Sequence, residues 1–164
     1  MSAGEPDIIV AVASAPGPGA RGIVRLSGPG VLEAMRGVLE GISAATPAGV
    51  VRTRFLGGPG MPAELPCLAI VFRAPASYTG EDGLELFPPG SPAVLAAVRD
   101  GLIAAGRRAG ASIGPAGPGG FSERAWRHGR IDLLEAEAIA ATIAAADEAE
   151  LRAARRLTGG TFLA

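Results

Sequence analysis

The sequence predicts an α+β fold, in which a mixed β-sheet carries covering helices on one face and is followed by a long C-terminal α-helix. Three observations lead to this prediction. Five or six short apolar runs are separated by Gly-rich and Pro-rich segments, which is typical of strands and turns. Two segments carry apolar residues at helical spacing. The stretch from Asp132 to Leu157 contains neither Gly nor Pro and is rich in Ala.

Six strands are predicted in the first two thirds of the chain. They cover Asp7–Ser14, Gly22–Leu26, Val50–Leu56, Leu65–Phe72, Gly83–Phe87 and Ala111–Ile113. In the third strand Arg52 and Arg54 alternate with less polar residues, so this strand is expected to be half exposed. Cys67 lies within the apolar fourth strand, and no His lies near it in sequence. We therefore expect a buried, inert thiol rather than a nucleophile.

Two helices are predicted to cover the sheet. The first follows Ser27, a plausible N-cap, and its apolar positions recur at helical spacing until Gly41. The second begins at Ser91-Pro92 and continues to about Arg108, with Pro in its first turn. This arrangement predicts an α+β domain over residues 1–118 and a helical segment over residues 119–164.

The C-terminal helix has its own start signal. Asp132 and Glu135 have the spacing of a capping box, and a helix from there to Leu157 would make roughly seven turns. A weak apolar stripe along it is expected to pack on another chain or on further helices. The alternative is a solvated tail that frays.

Composition excludes several classes of protein. No apolar run is long enough to span a membrane, and we expect a cytoplasmic protein. Gly17, Gly19 and Gly22 match GxGxxG, but a strand follows rather than a helix, so a tight strand connection is favoured over a dinucleotide site. All fifteen basic residues are Arg. Because a P-loop needs its Lys, these residues cannot form a standard GTP site.

Three ordered segments resemble one family. They are APGPGARGIVRLSG at 15–28, LAIVFRAPASYTGEDGLEL at 68–86 and PGGFSERAWRHGRIDLLEAEAIAATI at 118–143. Together they resemble the N-terminal part of the TrmE (MnmE) family of tRNA-modifying GTPases, here expected as a stand-alone domain without the GTPase domain. The resemblance implies a fold similar to the tetrahydrofolate-binding aminomethyltransferases. It also implies that residues 119–164 correspond to the start of the family's helical domain.

The resemblance further implies a cofactor and partners. The cofactor would be 5-formyltetrahydrofolate or 5,10-methylenetetrahydrofolate, whose one-carbon unit serves modification of the wobble uridine in certain tRNAs. The domain would form a homodimer and act with a flavoprotein, and with a GTPase supplied in trans. A net charge of −1 gives no general attraction for nucleic acid, so any tRNA contact would be local or supplied by a partner.

The positions that would contact folate, carried over one at a time, are Arg25, Glu85 and Arg130. A carboxylate such as Glu85 can accept both N–H groups on the edge of a pterin. From the residues alone, the better interpretation of Glu85 and Arg25 is that they are ordinary exposed strand residues. Arg130 stands where the family has Lys, which keeps the charge but widens the donor group.

The chain departs from the family pattern at several positions. Pro88 and Pro89 replace a glycine-rich turn that contains His, Gly120 replaces an acid, and Pro18 replaces an Arg. The prolines stiffen a loop near the expected ligand entrance. His128, the only imidazole, is interpreted as a surface residue rather than a base.

Two further acids, Glu81 and Asp82, precede the fifth strand and either shape the pocket or terminate a turn. The sequence shows no independent catalytic constellation and no His or Cys cluster for a metal. The resulting hypothesis is a module that binds a reduced folate. The alternatives are a degenerate module that has lost the ligand and serves dimerisation or partner binding, and a fragment without function.

Overall fold

The computed structural model of the chain describes residues 5–57 and 64–157. Six strands and five helices occur in this part. The elements are β1 (Ile8–Val12), β2 (Val24–Ser27), α1 (Val31–Ala34), β3 (Gly49–Phe55), β4 (Leu65–Phe72), β5 (Gly83–Phe87), α2 (Pro92–Arg108), β6 (Ile113–Pro115), α3 (Gly120–Arg127), α4 (Leu133–Ala144) and α5 (Glu148–Leu157). No described helix is long and apolar enough to cross a membrane.

The described chain divides into two units. A sheet unit comprises residues 5–57, 64–77 and 81–116, and a helical unit comprises residues 78–80 and 117–157. The helical unit thus includes the short segment Tyr78–Gly80 together with the described residues after Ala116.

The sheet unit contains one six-stranded mixed sheet in the order β3-β4-β5-β2-β1-β6. All neighbouring strands are antiparallel except β1 and β6, which are parallel. Side chains on one face of the sheet form the hydrophobic core with α1 and α2. The predicted α+β class is therefore confirmed, and the fourth and fifth strands have the predicted bounds.

The first predicted helix is wrong in length. α1 is a single turn whose N-cap is Gly30 in the left-handed conformation, and Ser27 is instead the last residue of β2. Gly28 and Gly37 also have positive φ angles, 148° and 83°, which interrupt any helix through this region. The apolar residues that suggested a helix are still buried, because a sequence of turns places them against the sheet.

The second covering helix matches its prediction. α2 begins at Pro92 after Ser91 and ends at Arg108. The last strand lies further along the chain than predicted, at Ile113–Pro115 rather than Ala111–Ile113. Its three residues pair with β1, so the partner strand and not the local apolar run sets its bounds.

The helical unit contains α4, α5 and a further helix, α3, that was not predicted from the sequence. Asp132 caps α4 through a capping box with Glu135, both bonds being 2.8 Å, as predicted. The C-terminal helix is present but is divided between Ala144 and Glu148. At the division Asp147 accepts from the backbone N–H of Glu150 at 2.8 Å, so a second capping signal ends the continuous helix.

Candidate functional site

The two central strands β2 and β5 place an acid and a base side by side. Val24 and Leu26 are buried in the core, so Arg25 between them lies on the opposite face of the sheet. The same alternation in β5 places Glu85 on that face, which we call the open face because α1 and α2 cover the other one. Arg25 and Glu85 are direct partners in the antiparallel register.

The side chains of Arg25 and Glu85 form an ion pair. Nε of Arg25 donates to Oε1 of Glu85 at 2.6 Å. The Glu85 side chain is only 15% exposed, whereas that of Arg25 is 36% exposed. Within the described part of the chain, Oε2 of Glu85 accepts no hydrogen bond. The pair therefore presents a fixed carboxylate in which Oε2 and the second lone pair of Oε1 can accept from a ligand.

The two acids before β5 have structural partners. Asp82 accepts from the backbone N–H of Ala74 at 2.9 Å and pairs with Arg73 at 3.2 Å, so it closes the turn between β4 and β5. Glu81 accepts from the hydroxyl of Ser27 at 2.8 Å. Ser27 is thus a partner of Glu81 rather than the helix cap that the sequence predicted.

Arg130 belongs to the helical unit. It follows α3 and a left-handed Gly129, and its backbone N–H donates to Ala125 at 2.8 Å. Its aliphatic stem lies against Gly80, where an added Cβ would be 3.3 Å from Cδ of Arg130. The structure thus joins two of the three predicted contact residues in the sheet unit and places the third in the helical unit.

His128 is exposed, as predicted for a surface residue. Its Nδ1 lies 2.7 Å from the carbonyl oxygen of Thr79, and the hydroxyl of Tyr78 lies 3.0 Å from that of Ser122. These bonds hold residues 78–80 within the helical unit. His128 therefore has a structural role, because it helps to hold part of the SYTGED segment in place.

The loop that contains Pro88 and Pro89 is hydrogen-bonded to the glycine-rich loop between β1 and β2. The carbonyl of Pro88 accepts from Gly22, and the carbonyl of Gly90 accepts from Gly19, both at 3.0 Å. The loop with the GxGxxG spacing therefore pairs with another loop. A strand and not a helix follows it, as predicted. An added Cβ at Gly90 would lie 2.5 Å from the carbonyl oxygen of Gly19, so the two loops meet closely.

A concave site at the β3–β4 end of the sheet unit was not predicted. Its volume is about 390 Å³, and it has three arginines and a single acid in its lining. The residues lining it are Arg21, Glu40, Arg52, Thr53, Arg54, Pro66, Cys67 and Leu68. The alternation in β3 predicted that Arg52 and Arg54 share a face, but no local pattern connects them with Arg21.

Cys67 is 7% exposed and its thiol is free. Burial raises the pKa of the Cys67 thiol, which keeps it protonated at neutral pH. The predicted burial of this cysteine is confirmed.

Comparison with known proteins identifies the family. Residues 8–130 match the family model described as "GTP-binding protein TrmE N-terminus". The chain belongs to the TrmE N-terminal family. The positions that its resemblance to TrmE assigned to ligand contact in β2 and β5, Arg25 and Glu85, are the two partners of the ion pair on the open face.

Several relatives carry the name "tRNA modification GTPase MnmE". The relative from Halorhodospira halophila is 44% identical over 156 residues, which cover 95% of this chain and 31% of that protein. Those from Thermus thermophilus and Thiobacillus denitrificans are 42% and 41% identical and are covered over 35% and 34% of their lengths. The chain spans about a third of the length of these TrmE relatives.

Proposed function

We propose that this chain binds a reduced folate, 5-formyltetrahydrofolate or 5,10-methylenetetrahydrofolate, with the pterin edge at Glu85. The observation that carries this proposal is the Arg25–Glu85 pair on the open face. A pterin presents a 2-amino group and an adjacent ring N–H, and a carboxylate accepts from both. Oε2 of Glu85 can accept such a bond, and only a small fraction of the side chain is exposed. Water therefore competes less for this carboxylate than it would for a fully exposed one.

Arg25 has two parts in this proposal. Its Nε holds the carboxylate of Glu85, and its guanidinium is a donor for polar groups of the ligand. Arg130 is the third proposed contact, which rests on the resemblance to the family. Its planar guanidinium offers five donors where a Lys would offer a compact ammonium.

The bound folate supplies the one-carbon chemistry, because the reactive carbon belongs to the cofactor. The chain's residues bind and orient it. Glu85 fixes the pterin edge through two accepted hydrogen bonds, and Arg25 fixes the rotamer of Glu85. Neither residue needs to transfer a proton for this task.

For the wider role, the names of the relatives support tRNA modification, and the family resemblance supports the modified base and the partners. We propose that the module contributes a folate site to tRNA modification at the wobble uridine, as a homodimer and together with a flavoprotein. The sequence has no Lys, so these 164 residues have no P-loop of the GxxxxGK[ST] form. In this proposal GTP hydrolysis belongs to a GTPase acting with the module.

Calorimetric titration with 5-formyltetrahydrofolate tests the folate site. Glu85→Gln should weaken binding by about 1 to 3 kcal/mol, which is the usual cost of a lost hydrogen bond to a charged group. Glu137→Gln is the matched control, because Glu137 is an exposed acid of α4 in the helical unit. If the Glu85 variant and the wild type bind with equal affinity, the proposal that the pterin binds at Glu85 is refuted.

A second candidate function is an interaction module without a ligand. The observation that favours it is a set of exposed apolar side chains on α4, where Leu133, Leu134 and Ile143 are 60%, 49% and 81% exposed. At about 100° per residue Leu134 and Ile143 lie on opposite sides of α4, so each is a separate apolar side chain for another chain to cover. Sedimentation of Leu134→Ser and Ile143→Ser tests it. A shift towards monomer in a protein that does not bind folate would favour this candidate, and unchanged sedimentation would contradict it.

A further inference from the structure

The open face of the sheet continues from Glu85 towards the edge strand β3. Glu85 is the register partner of Ile70 in β4. The next residues on the same face form a second row, in which Phe87 pairs with Leu68 and Leu68 pairs with Arg52. Ile70 is half-buried and Leu68 is 40% exposed. An acid, an apolar middle and a base therefore follow one another across three adjacent strands.

We call this row from Glu85 through Ile70 and Leu68 to Arg52 the track. The distance between its two ends follows from the spacing of strands and residues in a sheet. Arg52 lies two strands from Glu85 and two residues further along, since β5, β4 and β3 are neighbours. With about 4.8 Å between strands and about 3.4 Å per residue, the two Cα atoms are about 12 Å apart. Both side chains are long enough to adjust this span by several ångströms.

The base at the end of the track has no acidic partner in the described part of the chain. Arg52 is exposed and forms no ion pair with residues 5–57 or 64–157. The neighbouring sequence 58–63, GPGMPA, contains no acid. Arg21 lines the same concave site and donates Nη1 to the carbonyl of Phe87 at 3.3 Å, a neutral partner.

Arg54 differs from these two arginines. It pairs with Glu40 at 3.5 Å and with Glu64 at 3.3 Å, so two acids compensate its charge. Arg21 and Arg52 therefore have no acidic partner among the described residues, while Arg54 and its two acids together carry one negative charge, so these five groups have a net charge of +1. In a chain of net charge −1, this is a local preference for an anion.

We infer that Arg52 and Arg21 bind the glutamate carboxylates of the folate whose pterin lies at Glu85. The inference rests on the proposed folate site. In a folate the pterin and the glutamate are joined by a flat benzoyl ring, and Ile70 and Leu68 lie where that ring would pass. From the pterin ring N–H to the α-carboxylate of the glutamate the path has about fourteen covalent bonds, and at roughly 1.2 Å of advance each it covers about 17 Å when extended. That length fits the span between the acid and the base.

Three ligands distinguish the tail contact from the pterin contact. They are the N-methyl amide of 5-formyltetrahydropteroate (called the pteroate below), which has neither a glutamate nor a free carboxylate, 5-formyltetrahydrofolate, which has one glutamate, and its triglutamate. In wild-type protein affinity should rise with each added glutamate. Arg52→Gln should weaken binding of the monoglutamate about fivefold, the size expected for a partly exposed ion pair. The same substitution should weaken binding of the triglutamate at least as much and leave binding of the pteroate unchanged.

Arg108→Gln is the matched control, because Arg108 is exposed at the end of α2 in the layer that covers the other face. Arg21→Gln is the second variant and should repeat the pattern of Arg52→Gln. Thermal unfolding of each variant checks that the fold is kept.

The outcomes separate the two proposals. If wild-type protein binds the pteroate and the folates equally well, or if Arg52→Gln weakens all three alike, the tail site is refuted and the pterin site stands. If wild-type protein binds none of the three ligands, the proposed folate function is refuted, and the tail site with it. Selective loss of the glutamate-dependent affinity would support both.

Discussion

The Arg25–Glu85 pair should make a measurable contribution to the stability of the sheet unit. Replacing Arg25 by Met removes the cation and leaves a carboxylate that is only 15% exposed. Replacing Glu85 by Gln keeps an acceptor for Arg25, which is 36% exposed and reachable by water. The two substitutions should therefore have unequal costs, because only the first leaves a largely buried charge unpaired.

The magnitudes follow from this burial. A fully buried pair loses about 3 to 5 kcal/mol when one partner is removed, and an exposed pair loses about 0 to 1 kcal/mol. We expect Arg25→Met to lower the free energy of unfolding by about 2 kcal/mol and Glu85→Gln by about 0.5 to 1 kcal/mol. The double variant should lose less than the sum, which gives a coupling of about 1 kcal/mol.

Urea unfolding followed by far-UV circular dichroism measures all four proteins of this cycle. Trp126 in α3 provides a fluorescence signal from the helical unit, so non-coincident transitions would reveal separate unfolding of the two units. The control cycle uses Arg36 and Glu33, a pair at 3.2 Å with side chains 71% and 52% exposed. Its coupling should be below about 0.5 kcal/mol. Additive costs at Arg25 and Glu85, within about 0.3 kcal/mol, would refute the reasoning.

Three further predictions concern the fold. Gly28→Ala would place a Cβ against the carbonyl oxygen of Asp7 at a φ of 148° and should cost about 3 kcal/mol or more. Gly30→Ala, at a φ of 71° with open space, should cost about 1 kcal/mol. Equal urea midpoints of the two variants would contradict this. Asp132→Ala should destabilise α4 by about 1 kcal/mol and lower the ellipticity at 222 nm, whereas Asn at this position should retain most of the signal. Because burial raises the pKa of the Cys67 thiol, the native state holds that proton more tightly than the unfolded chain. Stability from this source is complete below the unfolded pKa and is lost as the pH rises through the folded pKa, so Cys67→Ala should flatten the alkaline decline above about pH 8.5; an unchanged slope would refute it.

Features that depend on near neighbours in sequence could be predicted well. The bounds of β4 and β5, the start of α2 at Pro92 and the cap at Asp132 follow from alternation, a Pro in the first turn and a capping box. Each of these signals acts within a few residues, so no knowledge of the remaining chain is needed.

The failures also have physical causes. The apolar residues between Val31 and Leu39 have helical spacing and are buried, yet glycines with positive φ angles turn the chain after the single turn of α1. Helical spacing reports which residues face the core and does not report whether the backbone between them is helical. In the C-terminal helix, the spacing of Asp147 and Glu150 repeats that of Asp132 and Glu135, and this local signal outweighs the uninterrupted Ala-rich composition.

By itself the sequence determined the α+β class, the family and the identity of the residues that carry charge on β2, β3 and β5. Only the tertiary structure decided which of them meet. Arg25 and Glu85 are 60 residues apart and become partners because β2 and β5 are neighbours in the sheet. Arg21, in the loop before β2, and Arg52, in β3, line one concave site although β2 and β3 are not neighbours in the sheet. The order of strands is set by packing of the whole core, and no local pattern encodes it.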